Sequence, residues 1–111
     1  MKDYWLVIDP DCLSIEICFP DNLMNGINAC LATISWDQQE QLLKRLQEIT
    51  VDTAPFTLSY EYFTLTVSPF VIDYDFHMFE EPVSYYLYTR IFKNALAEYL
   101  DEMNKLCNPS V

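Results

Sequence analysis

The chain has 111 residues, of which 51% are hydrophobic and 15% aromatic, and this composition predicts one packed domain over residues 1–111. Its 17 carboxylates outnumber six basic side chains, so the formal net charge is −11. Such a charge disfavours direct binding to nucleic acid or anionic membranes and favours a basic protein partner. The alternative is that the charge only maintains solubility, although it exceeds the magnitude of roughly 2 to 8 that solubility requires.

The glycine and cysteine content excludes several kinds of binding site. Gly26 is the only glycine, which excludes Gly-rich loops that hold phosphates. The four cysteines, at positions 12, 18, 30 and 107, form no C-x-x-C motif, so we expect no metal site and no bound cofactor. The N-terminal residues are too charged for a signal peptide, and no apolar stretch is long enough to span a bilayer. We therefore expect a cytoplasmic protein with reduced thiols and no membrane contact.

The first half of the chain predicts a β-hairpin followed by two helices. Residues 4–8 and 13–19 are rich in strand-forming apolar residues, and the Asp and Pro residues between them are typical of a turn. Apolar residues then recur at helical spacing over 23–34. A Ser-x-x-Gln capping box at 35–38 begins a second helix, which we expect over 36–49.

The second half predicts two more strands. Residues 56–67 are dense in Thr, Tyr and Phe, and the alternation slips at 60–63, which suggests a bulge within one long strand. Ser68 and Pro69 turn the chain into a half-buried strand over 70–77. One face of that strand should carry the core residues Phe70, Ile72, Tyr74 and Phe76, and the other should carry Val71, Asp73, Asp75 and His77.

A long helix is predicted from Pro82 to Leu106, with Glu80 and Glu81 placed before it where the helix dipole favours acidic side chains. The predicted order is therefore ββααββα. This order indicates an α+β fold in which an antiparallel sheet from two β-hairpins packs on helices. The long Tyr- and Thr-rich strand could also pair with a second copy of itself, so a homodimer stays open.

Three pairs of carboxylates have the spacing of acid–base catalysts, namely Asp73 with Asp75, Asp9 with Asp11, and Glu80 with Glu81. In so acidic a chain such pairs arise by chance, and nothing in the sequence indicates a closed pocket. His77 is the only histidine, which excludes the usual His-based triads. It is either a surface residue at a strand end or a charge-tuned contact. We expect no catalytic residue and a protein that is not an enzyme.

Two acidic groups and several tyrosines are candidates for binding a partner. Asp73 and Asp75 point to one side of their strand with no basic residue nearby in the sequence, and Glu61 joins them if the bulge leaves it on that side. The carboxylates within residues 98–102 lie late in a helix, where the dipole and mutual repulsion both disfavour them. Residues placed where the local energetics disfavour them, without a compensating neighbour, are typical of a functional site. The predicted partner-binding residues are Asp73, Asp75, Glu61, Glu98, Asp101, Glu102, Tyr62 and Tyr74.

Three functions fit this pattern. The first is an immunity protein, an antitoxin-like inhibitor that neutralises a basic nuclease or RNase toxin used in bacterial competition, because the active site of such a toxin is lined with Lys and Arg. The second is a nucleic-acid mimic from a phage or mobile element that inhibits a restriction or CRISPR effector. The third is a small carboxylate-dependent enzyme or ligand-binding domain, which would need a concave site around its carboxylates. The first is the expectation we carry forward.

Overall fold

The computed structural model describes residues 3–20, 26–77 and 83–107. Within these ranges the chain forms six strands and three helices. In chain order they are β1 (Trp5–Asp9), β2 (Ser14–Cys18), α1 (Gly26–Ala32), α2 (Trp36–Gln47), β3 (Phe56–Ser59), β4 (Phe63–Val67), β5 (Val71–Phe76), β6 (Val83–Tyr88) and α3 (Thr89–Cys107). The predicted α+β class is confirmed, as is the order of an antiparallel hairpin, two helices, a second antiparallel β region and a terminal helix.

The second β region is a four-stranded antiparallel sheet in the order β3-β4-β5-β6. The long strand predicted over 56–67 is two strands, because the slip in its alternation is a turn rather than a bulge. The backbone N–H of Tyr60 donates to the carbonyl of Phe63 at 2.9 Å and closes that turn. Strand β5 pairs with β4, and Asp73 of β5 lies opposite Thr66 of β4. Strand β6 pairs with the other edge of β5.

The last strand occupies the place where sequence periodicity predicted the start of a long helix. Residues 83–88 pair with the whole of β5, and α3 begins at Thr89 rather than at residue 82. The Thr89 hydroxyl donates to the Ser68 carbonyl at 2.7 Å, and its N–H donates to the Phe70 carbonyl at 3.0 Å. These contacts anchor the strand-to-helix junction to the β4–β5 turn. The acidic residues expected before the helix, at 80 and 81, lie outside the described residues.

The helices begin where local chemistry favours them. The capping box before α2 is confirmed: the Gln38 N–H donates to Ser35 Oγ at 3.2 Å, and the Ser35 N–H donates to Gln38 Oε1 at 2.8 Å. The helix predicted over 23–34 is described from Gly26 onward, and its expected N-terminal residues lie outside the described ranges. A Cβ on Gly26 would lie 2.6 Å from Cε2 of Tyr74, so only glycine allows α1 to pack this closely on the sheet.

The core lies between the inner face of the four-stranded sheet and the helices. Helix α3 contacts α2, β2, β5 and β6, and its buried face includes Phe92, Ala95 and Leu96. The Phe92 ring meets the fully buried Tyr74 ring edge-on, with centroids 6.4 Å apart. Helix α3 therefore packs on the inner side of the sheet and links it to the small β1-β2 sheet. Among the described helices, none has the length and apolar character required to cross a membrane.

Candidate partner-binding surface

The side of the four-stranded sheet that faces away from the helices forms one continuous polar surface. Alternation along each strand sends every second side chain to this side, and the antiparallel register aligns them across the strands. We call this surface the outer sheet face. Its described members are Thr57, Ser59, Thr64, Thr66, Val71, Asp73, Asp75, Tyr86 and Tyr88.

Asp73 lies at the centre of the outer sheet face, as the sequence alternation predicts. It is exposed, and it is directly opposite Thr66 on one neighbouring strand and Tyr86 on the other. Asp75 lies two residues further along and is half-buried opposite Thr64. Residues 56–88 contain no Lys or Arg, so the strands themselves supply no cation to these carboxylates. The face therefore presents negative charge on a hydroxyl-rich and aromatic surface.

The arginines of the described chain contact groups away from the outer sheet face. Arg45 lies over the ring of Phe56, with its guanidinium carbon 4.5 Å from the ring centroid, and it also pairs with Glu48 at 3.9 Å. Arg90 pairs with Asp3 at 3.5 Å. These three contacts are typical of surface interactions that contribute little stability. No ion pair among the described residues includes Asp73.

One end of the outer sheet face is aromatic. Tyr86 and Tyr88 are 57% and 52% exposed, and Phe70, in the turn before β5, is 68% exposed. Tyr88 lies directly opposite Val71, which brings these apolar groups to the same end of the face. The prediction that Phe70 belongs to the core is wrong, because the strand begins one residue later. Large exposed aromatic side chains beside a carboxylate are typical of the anchor residues of protein–protein interfaces.

The other end carries the predicted residues Glu61 and Tyr62 in the β3–β4 turn, where both are exposed. His77 follows β5 and is also exposed. Its ring Nε2 lies 2.8 Å from the Thr64 hydroxyl, and its backbone N–H donates to the Tyr62 carbonyl at 2.8 Å. The histidine is thus held at the end of the outer sheet face near the turn. Of the predicted residues, Asp73 and Asp75 therefore lie on the outer sheet face, and Glu61 and Tyr62 lie in the turn at one end of it.

Tyr74 does not belong to the binding surface. Its side chain is fully buried on the inner face, where it stacks on Tyr85 at a centroid distance of 5.7 Å and also contacts the ring of Phe76. Burial raises the pKa of the Tyr74 hydroxyl, with smaller contributions from Cys30 and Tyr85. Its inclusion among the partner-binding residues is wrong, because the same alternation that exposes Asp73 buries its neighbour.

The carboxylates of α3 form a separate group with partners of their own. Glu98 accepts a hydrogen bond from the Tyr4 hydroxyl, and burial together with this carboxylate raises the pKa of Tyr4 to about 12. Lys105 pairs with Asp101 at 3.1 Å and with Glu102 at 3.5 Å, and both carboxylates raise the pKa of the Lys105 ammonium. Because α3 packs on the inner side of the sheet, these three acids do not join the outer sheet face.

The clefts of the described chain lie away from the sheet carboxylates. One cleft of about 840 Å³ runs between α2 and α3, and its lining includes Trp36, Leu43 and Asp101. A second of about 260 Å³ shares Trp36, and a third of about 410 Å³ lies beside β2. Asp73 and Asp75 line none of these three clefts. Within the described ranges, no three His, Cys, Asp or Glu side chains are grouped to hold a metal ion.

Sequence reasoning missed the aromatic residues of this surface. The helix predicted from residue 82 contains Tyr86 and Tyr88, yet the sequence over 83–88 alternates between polar or aromatic and apolar residues, which is the period of a strand. The helical spacing that follows these residues hides this alternation. No family model, no curated protein and no solved structure matches this chain.

Proposed function

We propose that this protein binds and neutralises a basic protein, and that it acts as an immunity protein against a nuclease-type toxin. The observation that carries the proposal is the outer sheet face, where exposed Asp73 lies among Tyr86, Tyr88 and Phe70 with no Lys or Arg on the strands. A rigid sheet holds these side chains in a fixed arrangement before any partner arrives. Such preorganisation reduces the entropy lost on binding.

The charge of the face fits the active site of an enzyme that acts on phosphates. Such a site is lined by Lys and Arg, and carboxylates can occupy it with charge-assisted hydrogen bonds. Asp73 supplies such an acceptor, and a net charge of −11 accelerates the encounter with a basic surface. Tyr86, Tyr88 and Phe70 supply apolar contact area around them. In this proposal Glu61 and Tyr62 lie at the rim of the interface.

The distribution of acidic residues favours an inhibitor over a nucleic-acid mimic. A mimic needs carboxylates arrayed along one extended face, whereas Asp9 and Glu16 lie on the first hairpin and Glu40 lies on α2. The group within residues 98–102 lies on α3, on the other side of the sheet. A carboxylate enzyme is also less favoured, because the sheet carboxylates line none of the described clefts.

The proposal is tested by co-purification of the tagged full chain from its native host, with washes at low salt and then at about 1 M salt, where surface charges are screened. The expected result is a stoichiometric basic protein with nuclease activity that the low-salt wash retains and the high-salt wash releases. Addition of the purified chain should then inhibit that nuclease. Retention of no basic protein at low salt would contradict the proposal.

Three variants locate the interface once the partner is in hand. Asp73→Asn should weaken binding by about tenfold or more, because it leaves a basic group of the partner without its counter-charge. Tyr86→Ala should weaken it by about 30-fold, as expected for an aromatic anchor. Glu40→Gln, which removes one exposed negative charge from α2, is the matched control and should bind as the unmodified chain does. Equal losses for Asp73→Asn and Glu40→Gln would mean that only overall charge matters.

A further inference from the structure

Strand β1 is an apolar strand with an exposed edge. It pairs only with β2 in a two-stranded sheet, so within the described ranges no strand covers its other side. Trp5, Val7 and Ile8 are 46%, 48% and 44% exposed, and Leu13 in the adjoining turn is also exposed. Proteins generally protect such edges, because an open apolar strand is a template for pairing with another chain.

The opposite edge of the same sheet is protected. The side chain of Asn28, on α1, binds both backbone groups of Ile17: its Oδ1 accepts from the Ile17 N–H at 2.9 Å, and its Nδ2 donates to the Ile17 carbonyl at 2.7 Å. One asparagine thus takes the place that a third strand would occupy beside β2. Among the described residues, one edge of this hairpin is covered and the other edge is open.

The Asn28 contact also determines which groups of β1 are free. Because the N–H and carbonyl of Ile17 point toward α1, the opposed pair of Leu6 and Ile17 is not hydrogen-bonded within the ladder. The pattern repeats every two residues, so the pair of Ile8 and Ile15 has the same geometry. The N–H and carbonyl groups of Leu6 and Ile8 therefore point outward from the open edge, where an incoming strand would bind them.

The charges around β1 indicate what kind of strand fits. Asp9 ends the apolar run and Glu16 lies directly opposite Val7, whereas Asp3 at the other end of the run is already paired with Arg90. Hydrogen bonds from Cys12 and the N–H of Asp11 hold the pKa of Asp9 below its usual value, so this carboxylate stays ionised. A second copy would bring the same carboxylates and a second charge of −11. A strand with a basic residue at each end would instead present one of them to Asp9 in either orientation.

We infer that the open edge of β1 binds an extended segment of another protein, with alternating apolar residues and basic residues at both ends, as a third strand of the hairpin sheet. The backbone groups of Leu6 and Ile8 supply the hydrogen bonds, and Trp5 and Val7 supply a shared apolar surface. The residues of this site are distinct from those of the outer sheet face. The inference therefore stands whether or not the outer sheet face binds a toxin.

The test uses the full chain and a synthetic peptide, acetyl-Lys-Val-Thr-Val-Thr-Val-Lys-amide, with the same peptide flanked by Glu as the control probe. NMR titration should show shifts concentrated in β1 and slowed amide exchange at Leu6 and Ile8 on addition of the Lys-flanked peptide. Ile8→Pro removes the outward N–H while leaving the β1–β2 ladder intact, and it should weaken binding about tenfold or more. Ile8→Thr shortens the same side chain but keeps the N–H, and it should bind within about twofold of the unmodified chain.

Three results would overturn the inference. The first is equal binding of the Lys- and Glu-flanked peptides, which would remove the role of charge. The second is unchanged binding by Ile8→Pro, provided that the β1–β2 signals of the variant are intact, which would place the peptide elsewhere. The third is a dimer in sedimentation that Ile8→Pro converts to monomer, which would mean that a second copy of the chain occupies the edge.

Discussion

The outer sheet face and the acidic half of α3 carry the same kind of side chain and differ in what surrounds it. Asp73 lies on strands that contain no basic residue, whereas Lys105 and Tyr4 reach the carboxylates within residues 98–102. From sequence spacing, the helix is the more anomalous of the two sites. The Lys105 pairs within the helix and the Tyr4 contact across the fold reverse that order. An unfavourable local position indicates a functional site only when no other residue compensates for it.

The comparison is tested most strongly on β5 itself, where Tyr74 and Asp73 are adjacent and point to opposite sides. Tyr74→Ala should lower the free energy of unfolding by about 3–5 kcal/mol, because it empties a fully buried position in the core. Asp73→Asn should change it by less than about 0.5 kcal/mol, since its side chain is exposed. Urea unfolding followed by circular dichroism measures both. A large loss with Asp73→Asn would make this carboxylate a structural residue.

On α3, the contact between Tyr4 and Glu98 should have a smaller effect. Tyr4→Phe removes one hydrogen bond to a charged acceptor and should lower the free energy of unfolding by about 1–2 kcal/mol. Tyr62→Phe is the matched control, because that exposed tyrosine lies in a turn and should show no change. If the two variants have the same free energy of unfolding, Tyr4 does not stabilise Glu98, and Glu98 is then an acidic residue without a partner in the fold.

The same contact predicts a dependence on pH with a defined sign. The Tyr4 pKa is raised to about 12 in the folded chain, so the folded state holds its proton more tightly than the unfolded state does. This stabilisation is complete below pH 10 and is lost as the pH rises from about 10 to about 12. Unfolding measured across this range should show a smaller loss of stability in Tyr4→Phe than in the unmodified chain. Parallel curves for the two proteins would contradict the prediction.

The smallest effect is expected at Lys105, whose pairs with Asp101 and Glu102 are solvent-exposed. Lys105→Gln should lower the thermal midpoint slightly at low salt and not measurably at about 1 M salt, because exposed ion pairs are weak and screened. It should leave partner binding unchanged, in contrast to Asp73→Asn. Weaker partner binding by Lys105→Gln would bring α3 back into the interface.

Much of the fold follows from local patterns. The capping box at Ser35 and Gln38 places the start of α2, because both hydrogen bonds form between residues three apart. Alternation over 71–76 correctly separates Asp73 from Ile72 and Tyr74. The boundary between β6 and α3 could not be placed from the sequence in this way. Residues 83–88 become a strand because they pair with β5. That partner strand lies earlier in the chain, so the residues within 83–88 do not reveal it.

Composition and periodicity by themselves determined the α+β class, the acidity and the side of β5 that carries Asp73, because each depends on residue type or on spacing within one element. Only the tertiary structure decided which carboxylates have partners, that Tyr86 and Tyr88 extend the outer sheet face, and that Asn28 closes one edge of the hairpin while β1 stays open. These properties depend on contacts between residues far apart in the sequence. A pattern read along one segment contains no information about which other segment will pack against it.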